Sequence, residues 1–306
     1  MNIVMTGATS FSGMWFAKEL AKVASLTTLI HQPKEAYSGL RQQRLEHVEK
    51  VSTPIVAGPF GSEIFLEQLH KLPHFDLFCH HAAEVTHYKS SDFDPYAALK
   101  KNTASLPEVL KCLKNKGCHS LILTGSIFEP HEGKGSDNLR AVSSYGLSKG
   151  LTSTFFEYHC QLAGIELKKF VIPNPFGPFE EVRYTTFLAK TWLEGKIAPV
   201  THPDYSRDNI PISLLAKAYS YFAGSDLSKF NPSFYVGSQK NFTLLFQKEI
   251  RNRLQLPCDI DFKVQTDFTE PLERINLDRL EPAFFNWDEE KSWDELAEFY
   301  LRHYGK

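Results

Sequence analysis

The chain begins Met1-Asn-Ile-Val-Met-Thr-Gly-Ala-Thr-Ser-Phe-Ser-Gly13. A short apolar run, Ile3 to Met5, ends in a glycine turn, and the turn leads into Phe11 to Val23, which reads as an amphipathic helix. A strand, a tight glycine turn and a helix N-terminus together make a phosphate cradle, because backbone N–H groups and the helix dipole face the anion there. In a chain of 306 residues this predicts a dinucleotide-binding α/β fold. The pattern is Gly7-x-x-Ser10-x-x-Gly13, with Ser10 where the usual middle glycine stands. Its hydroxyl can donate to a phosphate oxygen, although its Cβ narrows the approach. The plainer alternative is an ordinary strand-to-helix turn.

Working outward, strand-like and helix-like segments alternate. Strands are expected at Leu26–Ile30, Ser52–Ala57, Asp76–Cys79, His119–Thr124 and Glu166–Val171, and helices near Ser62–His70, Pro95–Lys116 and Ser144–Ala163. The strand runs are short, apolar and mostly non-alternating, as in a parallel sheet covered on both faces. Right-handed crossovers then give a Rossmann-type doubly wound sheet. After Pro173 prolines and aromatics become dense. Helices are expected there at Thr185–Glu194, Ser213–Phe222, Phe242–Leu254 and Ser292–His303, and strands at Ser233–Val236 and Ile260–Val264. The expected organisation is a nucleotide-binding domain over residues 1–172 and, over 173–306, a smaller C-terminal α/β substrate lobe, some of whose segments return to the sheet, with the active site in the cleft between the two.

Composition narrows the classes. A net charge of −2 with no basic block gives no reason to expect nucleic acid as a partner. No apolar run approaches the roughly 20 residues that span a bilayer. The chain enters a strand at once, without a basic n-region or a cleavable apolar stretch, so no signal peptide is expected. Cys79, Cys112, Cys118, Cys160 and Cys258 are odd in number and lack C-x-x-C spacing, which fits reduced thiols of a cytoplasmic protein.

The chemistry is expected in Tyr145-Gly-Leu-Ser-Lys149, at the start of the helix after the fifth strand. Tyr and Lys at i and i+4 share a helix face. An ammonium beside a phenol favours the phenolate and lowers the Tyr pKa from about 10, so Tyr145 can exchange a proton with a carbonyl/alcohol pair. A second copy of the spacing, Tyr96-Ala-Ala-Leu-Lys100, makes spacing alone undecided. The order of elements selects Tyr145: only it follows a strand that ends in a hydroxyl residue, Thr124-Gly-Ser126. A Ser at that strand end faces the ligand crevice.

At this point the chain resembles the extended short-chain dehydrogenase/reductase family, in its nucleotide-sugar epimerase/dehydratase branch. The matching pieces span nearly the whole chain: Thr6 to Gly13, His81-Ala-Ala83, Asn102, Thr124-Gly-Ser126, Tyr145-x-x-x-Lys149, Asn174-Pro-Phe-Gly-Pro178, Arg207-Asp-Asn-Ile-Pro-Ile212 and Arg274-x-x-x-Asp278. The resemblance implies catalysis by Ser126, Tyr145 and Lys149, with Asn102 in support. It implies a cofactor held by Gly7, Thr9, Ser10, Phe11, Ser12, Gly13, Ala82, Ala83 and Pro173 as well as by Tyr145 and Lys149. Asn174 would contact a nucleotide-sugar, and Arg207 and Arg274 its diphosphate or base, which suits the bidentate guanidinium. For Arg207 the plainer alternative is a salt bridge to Asp208. Arg183 is a further substrate candidate. Glu84, Thr86 and His87 fall on the loop that the resemblance places beside the sugar. Relatives often dimerise through the helices that match Pro95–Lys116 and Ser144–Ala163, so a homodimer is expected.

Departures narrow this further. The 4,6-dehydratases carry Asp-Glu directly after the hydroxyl residue, and here Ile127-Phe128 stands instead. Neither side chain moves a proton, and Glu129 is one place too far along. The end of the second strand lacks the Asp that usually binds the adenosine ribose. Leu29-Ile-His-Gln-Pro-Lys34 and Arg41 stand there, with Arg44 beyond. His31, Lys34 or Arg41 would neutralise a 2′-phosphate, so NADP(H) is favoured and NAD(H) is the alternative. His80, His81 and His87 lack complementary ligand spacing, and no metal is expected. The leading expectation is a 4-keto-sugar reductase on a nucleotide-activated sugar, and the alternative is an epimerase with tightly bound NAD. A ketone reductase of small uncharged molecules would not need Arg207 and Arg274. A non-catalytic sensor would not need Tyr145.

Overall fold

In the computed structural model, which describes residues 1–266 and 268–305, the run Ile3–Thr6 is buried inside a seven-stranded sheet. Across the sheet the strands run Lys229–Phe230, Glu166–Ile172, Ser120–Ser126, Leu77–His80, Asn2–Thr6, Ser25–Ile30 and Thr53–Val56, and every pairing is parallel. The doubly wound sheet expected from the apolar runs is therefore present. The chain winds from Asn2–Thr6 outward to Thr53–Val56, then crosses to Leu77–His80 on the other side. The order reverses between those two central strands, and in such sheets the ligand crevice lies at their carboxyl ends. Register places Thr6 beside His80 and His80 beside Leu123, so the segments after all three strands emerge at one edge.

Two helical features differ from expectation. Gly39–Glu49 is a helix absent from the expected elements, and it carries Arg41 and Arg44. Its buried face is only Arg44, Leu45 and Val48, too few apolar positions to show a period. The helix expected over Pro95–Lys116 is two helices, Pro95–Asn102 and Leu106–Asn115. Ser105 between them is left-handed, with φ +47°, and Pro107 has no N–H to continue the ladder. Ser144–Ala163 is continuous as expected, opened by the Ser143 side chain on the Gly146 N–H and closed by left-handed Gly164.

The chain divides into two compact units. The sheet unit takes Met1–Glu132, Leu139–Ile172 and Tyr219–Asn231. Its core packs Phe65, Phe78, Val109, Leu113, Leu121 and Phe156, each buried side chain stabilising by about 1.5–3 kcal/mol. The second unit takes Gly133–Asn138, Pro173–Ala218 and the residues from Pro232 onward. Its small sheet sets Ser206–Pro211 between Asn174–Phe176, in parallel, and Tyr235–Ser238, antiparallel. Helices Tyr184–Leu193, Gln239–Leu254 and Glu289–Tyr304 belong to it, around an aromatic cluster of Phe176, Trp192, Phe242, Phe246 and Trp293. The strand expected over Ser233–Val236 is split, with Pro232–Ser233 and Tyr235–Ser238 in different sheets.

All five cysteines are buried free thiols. Burial pushes Cys79, Cys118 and Cys160 up to about 12 and Cys258 up to about 11. No helix among the described residues is long and apolar enough to cross a membrane.

Candidate active site

The glycine turn is built by close backbone approach. Gly7 has φ +76°, and a Cβ on it would lie 2.7 Å from the Ala82 nitrogen. A Cβ on Gly13 would lie 2.1 Å from the Gly7 oxygen. Ser10 sits at φ −77° and needs no glycine. Its Oγ accepts the Gly13 N–H at 3.1 Å and donates to the Gly7 oxygen at 2.9 Å, capping helix Phe11–Leu20. The Ser10 proton is directed into the turn here, and its oxygen caps the helix start, whose first N–H groups have no partner within the helix. Thr9 and Phe11 are buried beside it, while Ser12 is partly exposed.

His81 ties this turn to the neighbouring strand end. Its Nε2 lies 3.1 Å from Ser10 Oγ and 3.0 Å from Ser12 Oγ, and its Nδ1 lies 3.0 Å from Thr124 Oγ. Burial, aided by the Lys149 charge, holds its pKa down to about 3. His81 is a site residue that spacing alone does not single out, and its place at a central strand end is the signal for it. Ala82 and Ala83 follow it at the glycine turn, where the Ala82 N–H donates to Thr6 Oγ at 3.2 Å.

The preceding residue, His80, points the other way. Its Nδ1 meets Thr6 Oγ at 2.9 Å, and the rings of Phe60 and Phe156 enclose it. Burial, aided by the Lys149 charge, pulls its pKa down to about 3. As pH falls below about 6.5 the unfolded chain therefore binds a proton that the folded chain excludes. Stability is expected to drop by up to about 1.4 kcal/mol per pH unit until it levels off near the folded pKa. Chemical unfolding of His80→Phe between about pH 7 and pH 4 should lose stability less steeply than the parent, by about one proton. Equal slopes would remove His80 as the source.

At the third strand end, Lys149 Nζ donates to the Thr124 carbonyl at 2.6 Å and is buried. Burial lowers its pKa, and the Glu129 charge opposes that. Tyr145 lies one turn earlier on the same helix, half-buried with its ring 5.1 Å from Tyr88 and 6.1 Å from Phe93. The helix start fits against the turn after Ser126, where a Cβ on Gly146 would lie 2.1 Å from the Phe128 oxygen. The rival Tyr96 is 75% exposed, so the second Tyr-x-x-x-Lys lies on the surface. Ser126 Oγ accepts the Phe128 N–H at 3.2 Å. Ile127 is buried. Glu129 is 0% exposed, with Oε1 on the Ser126 N–H at 2.7 Å and Oε2 on Lys169 Nζ at 2.6 Å.

Asn102 is a tie between segments. Its Oδ1 accepts the Glu84 N–H at 2.7 Å and its Nδ2 donates to Thr152 Oγ at 3.3 Å. Glu84 is held by Lys101 at 2.7 Å and by the Thr86 N–H at 2.8 Å. Burial raises its pKa, but these donors outweigh burial and hold it down to about 2. His87 is exposed at φ +52°. At the end of the second strand His31 and Arg41 are exposed, Lys34 Nζ pairs with Glu49 Oε1 at 2.5 Å, and Arg44 is buried.

The second unit holds the other candidates. Pro173 is buried ahead of Asn174, which pairs in register with Asn209. Arg207 is buried, with Nη1 on the Ser206 and Pro271 carbonyls at 2.9 Å each and Nη2 on Glu270 Oε2 at 2.8 Å. Its guanidinium lies 4.7 Å from the Tyr205 ring centre. Asp208 is not its partner: that carboxylate accepts the Phe234 and Asn276 N–H groups, and burial pushes its pKa up to about 6. Arg274 is fully buried, with Nη2 at 3.0 and 3.1 Å from the two Asp137 oxygens. A bridge between Ser206 and Glu273 sets the two arginines on adjacent segments. Arg183 takes the N-cap position of Tyr184–Leu193 in extended conformation.

A model of the NAD dependent epimerase/dehydratase family matches residues 3–226. Among solved structures, UDP-glucose 4-epimerase of Thermotoga maritima, with UDP-glucose, is similar at TM-score 0.75 and 15% identity over 99% of both chains. UDP-N-acetylglucosamine 4-epimerase of Methanobrevibacter ruminantium, in complex with UDP-N-acetylmuramic acid, is similar at TM-score 0.75 and 18% identity over 98% of both. The dTDP-glucose 4,6-dehydratase of Streptomyces venezuelae, with NAD bound, is similar at TM-score 0.71 and 13% identity over 99% of this chain and 98% of that one. At these identities the likeness is one of fold. No curated protein sequence matches the chain.

Proposed function

Because the chain belongs to the NAD-dependent epimerase/dehydratase family, we propose that it moves a hydride between a nicotinamide and a ring carbon, C4, of a nucleotide-activated sugar. The observation that carries this is the grouping of Thr124, Ser126 and Lys149 at one strand end, with Tyr145 a turn before Lys149. The residues fit a dinucleotide. Gly7 and Gly13 let the turn close tightly on the Ala82 backbone and on itself, and the first helical turn offers the Phe11 and Ser12 N–H groups, which have no acceptor within the helix. When bound, the nicotinamide supplies or accepts the hydride.

The protein's own residues handle the proton. In the reductive direction the Tyr145 hydroxyl delivers it to the sugar oxygen, and in the oxidative direction the phenolate removes it. Ser126 Oγ takes the Phe128 N–H as acceptor, which leaves its own proton for the same sugar oxygen. The Lys149 cation favours the phenolate. Asn174 and Arg183 are assigned to the nucleotide-sugar, and Arg207 and Arg274 to its diphosphate. Glu270 is the exposed partner of Arg207, so it is the one an incoming diphosphate would displace. Elimination at C5 and C6 finds no residue after Ser126: Ile127 and Phe128 carry no acid, and Glu129 is enclosed. Leu147, Phe155, Tyr158 and Leu162 are exposed along Ser144–Ala163, which supports pairing of two copies.

The net reaction proposed is reduction of a 4-keto sugar with NADPH, since no acid stands in Leu29–Lys34 at the end of the second strand and His31 and Arg41 stand exposed there. Two observations favour epimerisation with retained NAD as the second reading: Lys34 is neutralised by Glu49, and the similar epimerase folds cover the chain. Denaturing the purified protein and identifying released nucleotide by mass spectrometry separates them, with NADPH and NADH titrations alongside. An empty protein preferring NADPH is the expected result. Stoichiometric, poorly exchanging NAD would overturn the reductase in favour of the epimerase.

A further inference from the structure

We propose that Glu129 is a positioning residue of this site: its carboxylate clamps the backbone of Ser126 and supplies the negative charge that balances Lys169 beside Lys149. The proposal rests on the catalytic roles given above to Ser126, Tyr145 and Lys149.

The turn after the fifth strand is closed twice by one residue. The Glu129 N–H donates to the Ser126 carbonyl at 3.0 Å, and Glu129 Oε1 accepts the Ser126 N–H at 2.7 Å. Oε2 accepts from Ser153 Oγ at 2.9 Å, one turn past Lys149 on its helix, and from Lys169 Nζ at 2.6 Å on the adjacent strand. The carboxylate thus ties the Ser126 backbone to the Lys149 helix. Gly125 serves the same arrangement, since a Cβ there would lie 2.7 Å from Lys169 Cε and 3.1 Å from Glu129 Oε1. Lys169 reaches Glu132 at 2.7 Å, and Glu132 meets Lys229 at 2.7 Å.

Stability alone is a poor reason for this pair. Desolvating two charges offsets most of their attraction, and apolar residues of the same volume commonly fold as well or better. Its location supplies a better reason. The charges that face Lys149 from neighbouring elements are Glu129, which raises its pKa, and Lys169, which lowers it. His80 and His81 are held neutral partly by the Lys149 cation, so they add no charge in return. Tyr145 shares the Lys149 helix. Removing Glu129 leaves an extra positive field beside the helix that carries Lys149 and Tyr145, which favours the phenolate form of Tyr145.

The test reads Tyr145 directly, without substrate or cofactor. Phenolate absorbance is titrated in each variant and in the same variant carrying Tyr145→Phe, and the difference reports Tyr145. Glu129→Gln keeps an acceptor for the Ser126 N–H and removes the charge. It is expected to move the Tyr145 titration down by about one pH unit. Lys169→Gln removes the opposite charge and is expected to move it up. The double variant removes both and is expected to return close to the parent. A purely structural clamp would produce neither the opposite signs nor the return. A folded single variant that titrates like the parent, or a double variant displaced as far as Glu129→Gln, overturns the proposal. If either single variant fails to fold, the other carries the sign. Turnover surviving in Tyr145→Phe would instead defeat the proposed chemistry and leave this titration result standing.

Discussion

Tyr145→Phe is expected to lower turnover by about 10²–10⁴-fold, the usual contribution of a positioned acid or base, while cofactor affinity stays within about threefold. The substitution removes one hydroxyl and keeps the ring against Tyr88 and Phe93, so the packing that places the helix start survives. Lys149 remains anchored on the Thr124 carbonyl, which does not involve the phenol. The loss therefore falls on proton transfer, and a difference of that size corresponds to about 3–5 kcal/mol of barrier. Nicotinamide absorbance follows turnover, and ligand titration follows affinity. The surface residue supplies the control: Tyr96→Phe has the same chemistry at a 75% exposed position and should change nothing. Parent-like turnover in Tyr145→Phe would remove the proposed mechanism.

Gly13→Ala should abolish nicotinamide-nucleotide binding and destabilise the fold by about 1–3 kcal/mol or more, as overpacking does. The added carbon would lie 2.1 Å from the Gly7 oxygen and 2.7 Å from Ser10 Oγ. Gly7 cannot retreat, because it is itself packed on the backbone of His81 and Ala82. Relief must open the turn that the phosphates need. Gly39→Ala separates this effect from backbone strain. Gly39 has φ +57° but nothing within 4 Å of a Cβ, so its cost is confined to conformation, about 1 kcal/mol, and binding should persist. Thermal unfolding and NADPH fluorescence titration measure both. Normal binding by Gly13→Ala would mean that this turn is not the cradle.

The central strands were legible because burial on both faces writes itself as short apolar runs such as Leu121 to Leu123. Elements held by tertiary context were not. Gly39–Glu49 buries an arginine in place of an apolar residue, and Lys229–Phe230 is too short to show a period. Ser206–Pro211 carries Arg207, Asp208 and Asn209 buried in a strand, a run that reads as a polar loop. In the site, Tyr145 and Lys149 were legible from helical spacing once the strand end was placed before them. The partners of the arginines were not, since Asp137 meets Arg274 and Glu270 meets Arg207 across long sequence separations. The Ser10 cap was open to a local reading, because a serine before a helical run is an N-cap signal.

The buried thiols give the chain internal reporters of its own opening. Burial pushes Cys79, Cys118 and Cys160 up to about 12 and Cys258 up to about 11 and raises Cys112 as well, so little of any of them is thiolate at neutral pH, and all five side chains are buried. An alkylating reagent therefore modifies the protein at the rate at which it exposes each cysteine, not at the rate of the thiol chemistry on the folded surface. Cys79, Cys112, Cys118 and Cys160 lie in the sheet unit and Cys258 in the other. Peptide-resolved alkylation, with and without a bound nucleotide, would time the breathing of the two units separately in a single tube.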